Sequence, residues 1–142
     1  MKAGPARLRE GRRRSVASAC LAFVVYAPWA FFANLGHGSA RALRAGCTQG
    51  VLSFVLTLTL TQLMEALFRI PRTPWRGFGL ALAGAVCVSS LLNVSAHAIA
   101  GTPEILRTVA PVLVIGTAFF VSYGLNLVRV SRLGEGAAHQ AE

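Results

Sequence analysis

The sequence predicts an all-α integral membrane protein, a four-transmembrane-helix bundle with both termini cytoplasmic. Three observations predict it. Of the residues, 54% are hydrophobic and 13% charged, against roughly 25% charged in soluble domains. The apolar residues form four runs, each long enough to cross a hydrocarbon core of about 30 Å, which takes about 20 helical residues. The Lys and Arg residues, which give the chain its net charge of +9, lie between those runs and at the ends of the chain.

With 142 residues the chain has the size of one domain. A basic chain invites a nucleic-acid reading, but the basic segments carry no interleaved aromatics and no soluble domain to hold a duplex, so no nucleic acid is expected. Barrel strands would alternate apolar and polar residues over about 10 positions, and no segment does. Cys20, Cys47 and Cys87 sit in three different runs without a C-x-x-C spacing. They are expected to be plain buried cysteines, with neither disulfide nor metal.

Residues 1–15 hold Lys2, Arg7, Arg9, Arg12, Arg13 and Arg14 against Glu10, without apolar periodicity. A flexible, basic cytoplasmic tail is expected there, suited to fixing topology and meeting anionic headgroups. The first helix follows at about 16–35. Its apolar run exceeds the 7 to 15 residues of a secretory h-region, so it is expected to stay as an uncleaved anchor. Pro28 is a kink position, and Trp29, Phe31 and Phe32 suit an interfacial belt.

Gly36-His37-Gly38 ends that helix, and Ser39 is the expected N-cap of the second, at about 40–69. As one helix this segment is about 45 Å long at 1.5 Å per residue, so Arg41 and Arg44 belong among headgroups. Along it Gln49, Ser53, Thr57, Thr61 and Glu65 recur every fourth residue, covering an arc of roughly 160°. Lipid tails do not reward amides, hydroxyls or a carboxylate, so this arc must face helices or water. Gly46 and Gly50 lie within it as a G-x-x-x-G pair, the expected contact for self-association. Glu65 and Arg69 form an acid-then-base i,i+4 pair near the helix end.

Thr73-Pro74 is an N-cap followed by a first-turn proline, opening the third helix at about 74–100. Gly77, Gly79, Ala83, Gly84 and Cys87 give that helix a string of small residues, and Ser89, Asn93 and His97 recur every fourth residue in its second half. Gly101 ends it. Thr102-Pro103-Glu104 reads as N-cap, proline and first-turn acid of a fourth helix at about 103–128, with Pro111 as a kink position. The remaining segment, 134–142, is expected to be disordered.

Eleven of the 14 Lys and Arg residues fall in the N-terminal tail, the second loop and the C-terminal end. By the positive-inside rule those segments are cytoplasmic, in the inner (plasma) membrane of a cell of bacterial type. The first and third loops then face outward. His37, Arg41, Arg44, Gln49, Asn93, His97, Glu104 and Arg107 are therefore expected to gather at one outer face as ligand- or headgroup-binding candidates. Within it, His97 and Glu104 are expected to share a hydrogen bond or proton across the tight turn. Glu65, the carboxylate inside an apolar run, is the membrane-site candidate.

No nucleotide-binding glycine loop, H-E-x-x-H or G-x-S-x-G occurs, so no catalytic residue, metal or cofactor is expected. The leading functional expectation is a carrier or flippase-like transporter for a lipid or anionic amphiphile. The alternatives are a non-catalytic accessory or scaffolding subunit and a membrane-embedded enzyme using His97 and Glu104. Expected partners are anionic membrane lipids, a second copy of the chain or another membrane protein.

Overall fold

The computed structural model describes the backbone of residues 5–139 and the side chains of residues 16–133. The roles expected of the basic tail and of the C-terminal segment therefore rest on side chains outside the described residues. Among the described residues the chain is all helical: α1 (Pro5–Asn34), a 3₁₀ turn (Leu35–His37), α2 (Ser39–Phe68), α3 (Pro74–Ile99) and α4 (Ile105–His139). All four α-helices are long and apolar enough to cross a membrane, over Val16–His37, Ser39–Phe68, Pro74–Ile99 and Ile105–Leu133.

Local chemistry explains most boundaries. Pro5 is pre-organised for a first helical position, and the arginine-rich stretch after it is a good helix former, so α1 starts well ahead of its apolar run. Gly38, at φ +98°, breaks the chain between the 3₁₀ turn and α2. Its carbonyl accepts the Ala42 amide at 3.1 Å, which makes Gly38 the N-cap and puts Ser39 one residue inside the helix. Thr73 caps α3 as expected, its carbonyl accepting the Gly77 amide at 3.0 Å. Gly101, at φ +62°, closes α3 in a Schellman motif: the Thr102 amide reaches the His97 carbonyl and the Gly101 amide the Ala98 carbonyl, both at 3.0 Å. No Gly or Pro follows Val128 before Gly134, and α4 continues past its expected end.

The chain divides into two compact units, Met1–Thr59 with Leu92–Ala110, and Leu60–Leu91 with Pro111–Glu142. In the first unit the glycines of α2 receive α1. A β-carbon on Gly46 would stand 3.0 Å from the Ala27 carbonyl, and one on Gly50 would stand 2.7 Å from the Phe23 ring. The G-x-x-x-G pair expected to bind a second copy is thus filled by the chain's own first helix. Gln49 and Ser53 are also buried, Gln49 against Asn93 and His97 of α3, while Val51 and Val55 point outward.

In the second unit, Gly77 and Gly84 of α3 take the Phe68 backbone and the Leu67 side chain of the α2 end, and Gly124 of α4 takes the Phe78 ring. Gly79, Ala83 and Cys87 face outward, so the string of small residues on α3 divides between a packed edge and an open one. Cys20 and Cys47 are likewise exposed. All three cysteines therefore lie on outer helix surfaces, not buried as the apolar runs around them suggested: a run apolar on every side does not tell which residue faces a neighbouring helix.

Candidate functional site

All eight outer-face candidates fall in the first unit, at or below two neighbouring turns, Leu35–Gly38 and Ala100–Glu104. The turns are tied directly. His37 Nε2 and Glu104 Oε1 are 3.1 Å apart on half-exposed side chains, and the Arg44 guanidinium lies against the Gly101 turn, 3.3 Å from where a β-carbon would sit. Below them is a buried polar network. His97 Nε2 lies 2.8 Å from Gln49 Oε1, and His97 Nδ1 lies 2.8 Å from Thr102 Oγ1. The Gln49 amide nitrogen donates to Ser53 Oγ at 2.9 Å and to Asn93 Oδ1 at 3.2 Å.

These bonds assign the protons. Gln49 Oε1 only accepts, so His97 must donate from Nε2; Nδ1 of the neutral ring then accepts from the Thr102 hydroxyl. Gln49, Asn93 and His97 are fully buried. Among the described residues no buried side-chain nitrogen or oxygen lacks a partner. Such a network is stable in a low-dielectric interior because it is complete.

A second network joins α1 to the start of α4. Asn34, also fully buried, donates to the Ala30 carbonyl and to Thr108 Oγ1, each at 2.8 Å. Its Oδ1 accepts the Glu104 amide at 3.0 Å, and Thr108 Oγ1 donates to the Glu104 carbonyl at 2.6 Å. The N-terminus of α4 is thus capped from another helix. Thr102, expected to do this, spends its hydroxyl on His97.

The expected pairing of His97 with Glu104 is therefore corrected. Each has its own partner, Gln49 with Thr102 for the histidine and His37 for the carboxylate. The Schellman turn explains it: reversing the chain at Gly101 brings the Thr102 hydroxyl, not the Glu104 carboxylate, to the ring. Arg41, Arg44 and Arg107 are exposed, and among the described residues no carboxylate pairs with any of them. The Arg107 carbonyl accepts from Trp29 Nε1 at 3.3 Å.

Glu65 lies in the second unit, and its environment is richer than the sequence indicated. Arg69 approaches at 3.5 Å, as the i,i+4 spacing predicts. Tyr123 Oη of α4 donates to Glu65 Oε1 at 2.6 Å, a contact with no local signal because 58 residues separate the two. Asn34 was also missed, although an amide in the last turn of an apolar run is a signal in itself. Among the described residues no three His, Cys, Asp or Glu side chains converge as metal ligands. No family model matches the chain, and no curated protein or solved structure is significantly similar to it.

Proposed function

We propose that the protein is a multi-pass inner-membrane carrier of flippase-like type, with both termini cytoplasmic, that receives an anionic lipid or amphiphile at the paired turns of its first unit. The observation that carries this reading is the set of exposed guanidiniums on the helix ends next to those turns, Arg41 and Arg44 of α2 and Arg107 of α4, without a carboxylate partner among the described residues. Arg44 is placed against Gly101, and the turns beneath are fixed by the neutral Gln49–His97–Thr102 network. Arginine presents a planar fork of donors suited to phosphate or carboxylate. A rigid floor limits the ordering cost when such a headgroup docks. Trp29 beside Arg107 supplies an amphipathic ring of the kind found at headgroup depth.

The test uses protein reconstituted into vesicles of zwitterionic lipid doped with a fluorescent anionic lipid. Each basic residue near a membrane surface contributes about 1 kcal/mol of anion attraction, so Arg41→Ala, Arg44→Ala and Arg107→Ala combined should weaken binding at least tenfold, roughly, and slow translocation. Raising the salt should weaken wild-type binding more than that of the triple variant. Equal binding and equal translocation in the two proteins would remove the reading.

A second reading, an accessory subunit of a membrane complex, is favoured by the completeness of the buried network, in which every buried side-chain nitrogen and oxygen among the described residues has a partner. Purification in mild detergent at native abundance distinguishes it: a stoichiometric partner, with no lipid translocation by the isolated chain, favours the subunit. The membrane-enzyme alternative would need His97 and Glu104 to act together, and here each bonds to a different partner.

A further inference from the structure

Glu65 is the only Asp or Glu within the four candidate spans, and it sits in the last turn of α2. A carboxylate there can reach the headgroup layer by extending its side chain. Tyr123 holds it instead. The 2.6 Å Oη–Oε1 contact is in the range of a charge-assisted O–H···O⁻ bond, and it fixes one carboxylate oxygen against α4. Among the described residues the other oxygen meets only Arg69, at 3.5 Å through a guanidinium whose side chain is 77% exposed. At that distance, on so exposed a side chain, the pair is loose. The Glu65 side chain as a whole is 43% exposed.

Beside this anion lies an aromatic pair. Tyr123 stacks on Phe119 with centroids 5.9 Å apart and planes at 22°, and Phe119 is 49% exposed. A fixed anion on a half-exposed side chain and neighbouring aromatic rings form one recognition chemistry. Aromatic faces attract a cation by their quadrupole, most strongly where water is scarce. Hydrated inorganic cations are poorly served, because a hard ion needs several oxygen ligands and one carboxylate is offered. A cation clad in carbon fits better: it loses little hydration on entering and fills the apolar wall.

We propose that Glu65, Tyr123 and Phe119 form a site for a hydrophobic organic cation, with a quaternary or similarly shielded charge, separate from the anionic-headgroup site of the first unit. Glu65 supplies the counter-charge and Tyr123 positions it. The aromatic pair packs against the ligand. Arg69 is the resident cation that a ligand displaces, which makes it a competitor and not a contributor.

The experiment measures binding of tetraphenylphosphonium to the full chain in zwitterionic nanodiscs by calorimetry, with triphenylphosphine oxide as the uncharged control. Glu65→Gln, which keeps shape and removes charge, should weaken binding about tenfold or more. Phe119→Leu should cost about threefold, the scale of one exposed cation–π contact. Arg69→Gln should tighten binding by a few-fold, a gain that a structural ion pair would not produce. Helical content and thermal unfolding check the variants; if Glu65→Gln does not fold, Arg69→Gln and Phe119→Leu still decide. Equal affinity in wild type and Glu65→Gln would overturn the site and mark the signal as partition into lipid. Equal binding of the uncharged control, or weaker binding in Arg69→Gln, would overturn it as well. None of these outcomes bears on the arginines of the first unit, so the two sites stand or fall separately.

Discussion

His97 shows how a residue that looks catalytic can be consumed by structure. Both ring nitrogens are engaged, and the partner on Nε2 is an amide oxygen that accepts only, so the neutral ring with its proton on Nε2 satisfies every bond around it. Replacing it with Leu strands the Gln49 oxygen in a fully buried place, and a buried unsatisfied group costs about 1–3 kcal/mol. His97→Leu should therefore lower stability by that amount in a denaturant titration of the detergent-solubilised protein. Glu104→Gln should leave the nitrogen-15 signature of the His97 tautomer unchanged, whereas Gln49→Leu should alter it. A response to Glu104→Gln would restore the pairing that the geometry denies. The four-residue spacing of Ser89, Asn93 and His97 made a buried polar face legible in the sequence. Which partner each group takes was not legible, because Gln49 and His97 are 48 residues apart and only helix packing brings them together.

At the scale of the helix the glycines divide by what meets them. Gly50 is crowded by the Phe23 ring, 2.7 Å from where a β-carbon would be, whereas Gly79 has nothing within 4 Å. Gly50→Ala should thus overpack the α1–α2 contact and destabilise by about 1–3 kcal/mol. Gly79→Ala should be neutral or slightly stabilising through helix propensity. Thermal unfolding of the two variants checks this, and Phe23→Ala combined with Gly50→Ala should recover part of the loss. Equal melting of both single variants would mean that the α1–α2 packing is looser than the structure has it. Boundaries were readable wherever a local rule governs: Thr73-Pro74 opens α3 and Gly101 closes it. They were misread where a distant residue supplies the cap, as Asn34 does for Glu104. The same limit applied to Gly46 and Gly50, whose spacing shows that something approaches closely but not whether it is α1 or another copy of the chain.

For the molecule as a whole, four helices long and apolar enough to cross a membrane raise the question of direction, and the distribution of charge carries the expectation. Eleven of the 14 Lys and Arg residues lie in the N-terminal segment, the α2–α3 turn and the α4 end. Four spans would place those three segments on one side, and the positive-inside rule makes that side the expected cytoplasmic one. The bias is strong enough to survive losses: with Arg69, Arg72 and Arg76 all replaced by Gln, eight basic residues still face three. The orientation should therefore be the same in that triple variant. Cysteine labelling can establish this once Cys20, Cys47 and Cys87 are replaced, so that the introduced thiol is the one that reports. In that cysteine-free background, Leu106→Cys, at the exposed start of α4, should be labelled by a membrane-impermeant maleimide in intact cells. Ile70→Cys, exposed in the α2–α3 turn, should be labelled only after the cells are opened. The reverse pattern would invert the topology and move the paired arginine-bearing turns to the cytoplasmic side, where anionic lipid of the inner leaflet would become the headgroup source. Labelling of both positions in intact cells would mean that the chain inserts in two orientations, and the charge bias would then be too weak to set direction.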